Sequence, residues 1–257
     1  MYAPSTLHIV KKVHTRHKYS LLSAEIQKHD TLEKETPKYI CIFDARIAYM
    51  STQKIQAATA PAAALNDEQI LVVKRTTLFP DQAWHGLKAV DQDFIDKVLT
   101  HQEFQPRSLM EEDPSYQQII PYLVFEHQGN YFLMQRQAKA SETRLQSKYS
   151  FGIGGHIREE DITGHNIAHW ATREFHEEVA YDGSFTVEPL GILNDDSNDV
   201  GKVHVGFVYI LKGNSSDIQV KEELKNGQLL PLEECEKYYD AMESWSQIVF
   251  DKLKERA

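Results

Sequence analysis

The stretch Gly154–Tyr181, GGHIREEDITGHNIAHWATREFHEEVAY, decides how this chain is read. Its second half has helical spacing. Glu174, Glu177 and Glu178 stand at i, i+3 and i+4, so at about 100° per residue they share one face. Like charges at that spacing repel and destabilise a helix. A hard divalent cation held by carboxylate oxygens is the simple offset. Arg173 sits four residues before Glu177 and can orient that carboxylate. Ala168, Ala171, Phe175 and Val179 form the adjacent apolar face, which docks the helix on a sheet. Taken alone, EFHEE reads as a solvated surface helix. The Gly-Gly strand end and the short acidic loop before it set it apart.

Working outward, the flanks have strand texture. Ile119–Glu126 and Tyr131–Arg136 read as strands about a Gly-Asn turn. Tyr149–Ile157 is a Gly-rich strand, and a helix is predicted from about His165 to Val179. Phe185–Leu193, Val203–Leu211 and Gln228–Leu232 follow as strands, and a closing helix covers about Met242 to Arg256. Strands, a helix, strands and a helix make a mixed α/β sandwich without a regular βαβ repeat. On the N-terminal side, Tyr39–Phe43 and Ile70–Phe79 have strand character, and Ala57–Ala64 reads as a linker. Asp91–His101 has helical spacing behind an Asp cap. The turn signal Asp113–Pro114 marks a boundary, giving an accessory α+β region at 1–112 and a second domain at 113–257.

Composition narrows the class. The 257 residues are 41% hydrophobic and 26% charged, ordinary for a globular chain. No run approaches the roughly 18 apolar residues of a membrane span. Two cysteines make neither a disulfide framework nor a four-cysteine metal site, and they read as reduced thiols of a cytoplasmic protein. The net charge of −10 argues against broad nucleic-acid binding. The charge is uneven: residues 1–65 carry nine Lys/Arg against five acids, a net of +4, leaving −14 on the remainder. That basic start reads as a solvated arm, with a transit peptide as the lesser alternative.

The central stretch resembles the box of the Nudix hydrolase family, G-x5-E-x7-R-E-U-x-E-E-x-G-U with U bulky and apolar. Gly154, five residues and Glu160 match its opening. Arg173, Glu174, Phe175, His176, Glu177 and Glu178 match the core in full. Twelve residues separate Glu160 from Arg173 where the family has seven, so five are inserted. Glu159 or Asp161 serves as well as Glu160 for the first acid. Ala180 stands where the family has glycine, with Tyr181 at the apolar position.

The resemblance implies a Nudix α/β/α sandwich with a mixed sheet over 113–257. It implies a box helix that binds Mg²⁺ or Mn²⁺ through Glu174, Glu177 and Glu178. It implies hydrolysis of a pyrophosphate in a nucleoside diphosphate linked to another group. One of the three glutamates serves as general base. Gly154 and Gly155 let a ligand approach the backbone. Arg136, Arg144 and Lys148 are candidates for phosphate contact. In similar enzymes the loop before the last strand supplies another carboxylate, here Glu222 or Glu223, and Glu223 is counted with the metal ligands. His156 is a weaker ligand candidate, Asp195, Asp196 and Asp199 read as a solvated turn, and Trp245 as packing. The rival class is a Nudix fold that binds a nucleotide or sugar nucleotide without cleaving it. An isomerase on the same fold would need a cysteine near the substrate, and Cys41 and Cys235 are remote from the glycine strand. Residues 1–112 carry no motif and read as a lid or a homodimer element.

Overall fold

The computed structural model describes residues 5–7, 67–136, 148–162, 164, 166–221 and 224–256. Tyr39–Phe43, Ala57–Ala64, Cys41, Arg144, Glu222 and Glu223 lie outside these residues. In chain order the elements are β1 (Ser5–Leu7), β2 (Gln69–Lys74), α1 (Arg75–Leu78), β3 (Gly86–Lys88), α2 (Gln92–His101), β4 (Glu103–Pro106) and α3 (Arg107–Met110). Then come β5 (Tyr116–His127), β6 (Asn130–Arg136), β7 (Tyr149–Ser150), β8 (Gly152–Ile153), α4 (Ile167–Trp170), α5 (Thr172–Glu178) and β9 (Val179–Tyr181). The chain closes with β10 (Phe185–Asn194), β11 (His204–Gly213), β12 (Ile218–Val220), β13 (Leu224–Pro231), α6 (Leu232–Cys235) and α7 (Ser244–Arg256).

The long strand β5 organises a mixed sheet. It runs parallel to β11 over nearly its whole length, with His204 opposite Gln118 and Lys212 opposite Glu126. On its other edge it meets three strands in turn: β2 at its start, β8 at Leu123–Val124, and β6 through the hairpin at Glu126–His127. Alternation along β5 and β11 builds two cores. Tyr122, Val124, Val208 and Ile210 face Trp245, Val249 and Phe250 of α7. Leu123, Phe125 and Leu211 face Ala171 and Phe175 of the box helix. The period of two in each strand thus buries both faces, which is the α/β/α sandwich the sequence predicts.

Three local expectations change. The strand read through Ile70–Phe79 ends at Lys74, because β5 begins at Tyr116, the residue that pairs with Lys74. The chain then turns into α1, which buries Leu78 and Phe79 against Phe94 and Trp84. The glycine strand is two short pieces, and residues 154–157 leave the sheet. The single helix read over 165–179 is two helices broken at Ala171, where the Thr172 hydroxyl donates to the His169 carbonyl at 2.6 Å. The second ends at Glu178, and Val179–Tyr181 pairs with Ile218–Val220 as a strand. Ala180, at the position of the family's glycine, is therefore an outward strand residue.

The boundary expected at 112/113 is not a break in the structure. The β2 strand pairs with β5 across it, and Leu71, Val73 and Phe94 share a core with Ile119, Val205 and Phe207. The described residues after Pro61 lie in one compact unit with the N-terminal strand. Among the described residues no helix is long and apolar enough to cross a membrane.

Candidate active site

Helix α5 is held by Phe175, which is 1% exposed and lies 5.4 Å from the Phe185 ring. Burying such a side chain is worth about 1.5–3 kcal/mol, and it turns Glu174, Glu177 and Glu178 to a cavity of about 440 Å³. Gly154 and Gly155 line the same cavity. A Cβ on Gly154 would lie 2.0 Å from the Pro121 carbonyl oxygen, and one on Gly155 would lie 2.6 Å from Glu174 Oε2. Only glycine lets the backbone pass between strand β5 and the glutamate.

Arg173 offsets the repulsion on this face. Its Nη1 pairs with Glu174 Oε1 at 2.6 Å and with Glu177 Oε2 at 2.9 Å. Its Nη2 donates to Asp161 Oδ2 at 2.8 Å and to the His156 carbonyl at 3.0 Å, and its Nε to Asp161 Oδ1 at 2.9 Å. Burial pulls the guanidinium down, but these pairs outweigh it and hold it charged. Burial dominates at Glu174, whose carboxyl stays above the usual carboxylate range despite Arg173. Glu178 is 6% exposed. Arg173 itself does not line the cavity and stands behind the carboxylates as a positioning residue.

Of the three candidates for the first box acid, Asp161 is the one that reaches Arg173. Glu159 and Glu160 are exposed, whereas Asp161 sits in a 3₁₀ turn and makes the bidentate pair with Arg173. Counted from Asp161, the glycine position falls on Gly155, with five residues between them. Eleven residues, not twelve, then separate the acid from Arg173, an insertion of four.

The opposite wall was not legible from the chain. Arg107 at the start of α3 and Arg158 share Glu68: Arg107 Nη1 lies 3.1 Å from Glu68 Oε2, and Arg158 Nε pairs with Glu68 Oε1. Glu111, His156, His204 and Arg136 also face the cavity. Of the proposed phosphate contacts, Arg136 is on the wall, while Lys148 is exposed and off it, its carbonyl accepting the Arg136 N–H. Glu243 closes another side, its Oε1 accepting hydroxyl protons from Tyr122 at 2.7 Å and Ser150 at 2.6 Å. Burial, then the charge of Glu243, pushes the Tyr122 phenol well up. Trp245 packs in the core of α7 as expected and also borders the cavity. Asp195, read as a solvated turn, is fully buried and caps that turn by accepting the Ser197 N–H at 2.9 Å. Cys235 is buried in α6 away from the cavity, its thiol pushed up to about 12 by burial, so it does not supply an isomerase cysteine.

Three comparisons bear on this site. No family profile matches the chain. Protein YmaB of Bacillus subtilis (strain 168) is 32% identical over 204 residues, 73% of this chain and 98% of YmaB. The crystal structure of Tm1382, provisionally assigned as a Nudix hydrolase, matches with a TM-score of 0.63 and 31% identity, covering 74% of this chain and all of Tm1382. The NUDIX domain of Shewanella oneidensis NrtR, solved with ADP ribose, matches at a TM-score of 0.44 and 16% identity, over 55% of this chain and 88% of that one. With the R-E-U-x-E-E core intact on a helix of the expected sandwich, and relatives above 30% identity matched over nearly their whole length, the chain belongs to the Nudix hydrolase family.

Proposed function

We propose that this chain is a pyrophosphohydrolase that uses Mg²⁺ or Mn²⁺ to cleave a nucleoside diphosphate linked to a second group. The observation that carries the reading is one cavity with three carboxylates of α5 on one wall and Arg107, Arg136 and Arg158 on others. Glu174, Glu177 and Glu178 offer only oxygen donors, the set that suits a hard cation. Glu174, pressed against Gly155, and Glu178, buried at the cavity wall, are the first ligands, with Glu177 next. A bound divalent ion would neutralise the pyrophosphate charge and lower the pKa of a water. The chain's own residues do the rest. Arg173 holds Glu174 and Glu177 in register, the Gly154–Gly155 backbone admits the phosphates closely, and Arg136 faces their charge. One glutamate left uncoordinated can accept the water proton.

The test is the formation of phosphomonoester products, read as phosphate liberated from them by added alkaline phosphatase, from a panel of nucleoside diphosphate sugars, dinucleotides and ADP-ribose with Mg²⁺, for the wild type and Glu178→Gln. We expect turnover of at least one compound, falling on the order of 100-fold or more in the variant, since even outer-shell partners of a metal are worth about 10–100-fold. The melting temperature should not fall, because the swap removes a repelling charge. Half or more of wild-type activity in Glu178→Gln at limiting Mg²⁺ would remove the ligand assignment. Binding without turnover across the panel would establish the sensing module instead.

A further inference from the structure

We infer that Glu111, His156 and His204 form a second cation site, suited to a borderline divalent metal such as Zn²⁺ or Co²⁺ and separate from the all-oxygen face of α5. One ligand atom from each of the three lies within 4.8 Å of the others. The two imidazole Nε2 atoms are 3.4 Å apart. Two nitrogens bound at about 2.0–2.1 Å to a tetrahedral ion are separated by about 3.3–3.4 Å, so the rings already stand at a ligand spacing.

The surroundings orient the donors. His204 Nδ1 lies 2.6 Å from the Val200 carbonyl oxygen. A carbonyl only accepts, so Nδ1 carries the proton and Nε2 presents its lone pair toward His156. A metal-bound histidine is commonly held in this way. Gln118 fixes the other ring. Its Nε2 donates to the Met110 carbonyl at 3.0 Å, so its Oε1 faces His156 Nε2 at 2.6 Å. In the metal-free protein that contact takes the His156 Nε2 proton. Binding the cation moves the proton to Nδ1, the ring staying neutral throughout, and leaves Gln118 Oε1 as a further oxygen beside the ion. Burial, with Arg107 and His204 adding to it, holds His156 well below its usual range, which keeps the ring neutral and able to bind. Glu111 supplies the one negative charge, its Oε1 accepting from Arg107 Nε at 3.3 Å. Imidazole nitrogens select borderline metals, whereas carboxylates alone suit Mg²⁺. The cavity thus holds two donor sets of different chemical preference.

This site does not depend on the hydrolase reading. The full-length protein, stripped with a chelator, is titrated with Co²⁺ alone, and its visible absorption is followed. Four-coordinate Co²⁺ with histidine ligands absorbs far more strongly than six-coordinate Co²⁺ among oxygens. We expect an intense band saturating at one ion per chain, unchanged in Glu178→Gln and lost in His204→Ala. Glu111→Gln, a change at a partly exposed residue that leaves the fold in place, is expected to weaken Co²⁺ binding by more than about 100-fold, beyond the 10–100-fold typical of outer-shell partners. Circular dichroism separates lost binding from lost folding. No intense band, a band that survives both His204→Ala and Glu111→Gln, or a band lost in Glu178→Gln overturns the assignment and leaves the three side chains as a hydrogen-bonded cluster only.

Discussion

The two principal walls of the cavity are made in different ways. The acidic wall comes from five consecutive residues, Glu174–Glu178, on one turn and a half of helix. The facing wall draws on Glu68, Arg107, Glu111, Arg158 and His204, which are spread over most of the described chain. The first needs only helical periodicity to assemble. The second needs the sheet. The strand β2 must bridge to Arg158 through Ile70, with the Leu71 N–H on the Ile157 carbonyl, to bring Glu68 to Arg158, and β5 must lie parallel to β11 to set Gln118, which holds His156, opposite His204. A motif of contiguous residues therefore shows half a site.

The strongest way to break the comparison is to delete part of the second wall's scaffold. A chain beginning at Glu112 loses Ile70, Leu71, Val72 and Val73, none more than 1% exposed. Each buried aliphatic lost costs about 2–5 kcal/mol against a typical total of about 5–15 kcal/mol. We expect no cooperative melt by circular dichroism. A cooperative transition would show that the sandwich stands without residues 67–111, and that the second wall is an addition and not part of the core.

A smaller effect sharpens the first wall. Asp161→Asn should lower kcat by about 10–100-fold, as for loss of a partner that orients ligands, while KM stays near wild type. Glu160→Gln should leave both unchanged. The reverse ranking in steady-state kinetics would return the motif to the Gly154–Glu160 frame.

The smallest effect probes the second wall through pH. Burial pushes the Glu68 carboxyl up, but hydrogen bonds from Arg158 and Arg107 outweigh it and hold it below its ordinary 4.5. The native state then binds fewer protons than the unfolded chain. The stabilisation is present above 4.5 and is lost as the pH falls through the depressed native value. Melting temperatures of the wild type and Glu68→Gln should differ at neutral pH and converge in acid. Parallel curves would mean that the Glu68 pairs are screened at the surface.

Several features could be read from residue order alone. The apolar runs Ile119–Glu126 and Val203–Leu211 report strands, and Phe175 with Ala171 reports the docked side of the box helix. Others were misread for physical reasons. Glu160 and Asp161 are equally acidic, and only the 3₁₀ turn decides which reaches Arg173. Arg75–Phe79 has strand composition, yet β5 offers no partner beyond Tyr116. Lys148 is basic and near the glycines in sequence, but its side chain is exposed and off the cavity.

By itself, the sequence determined the box helix, its charged face and the family to which the chain belongs. Those depend on neighbours three and four residues apart, whose geometry a helix dictates. Tertiary structure decided that β2 joins the sheet of β5, which acid anchors Arg173, and what shares the cavity with the glutamates. Those contacts join residues such as Glu68 and Arg158 or Gln118 and His204. They are remote along the chain, and strand pairing, not local periodicity, sets their distance.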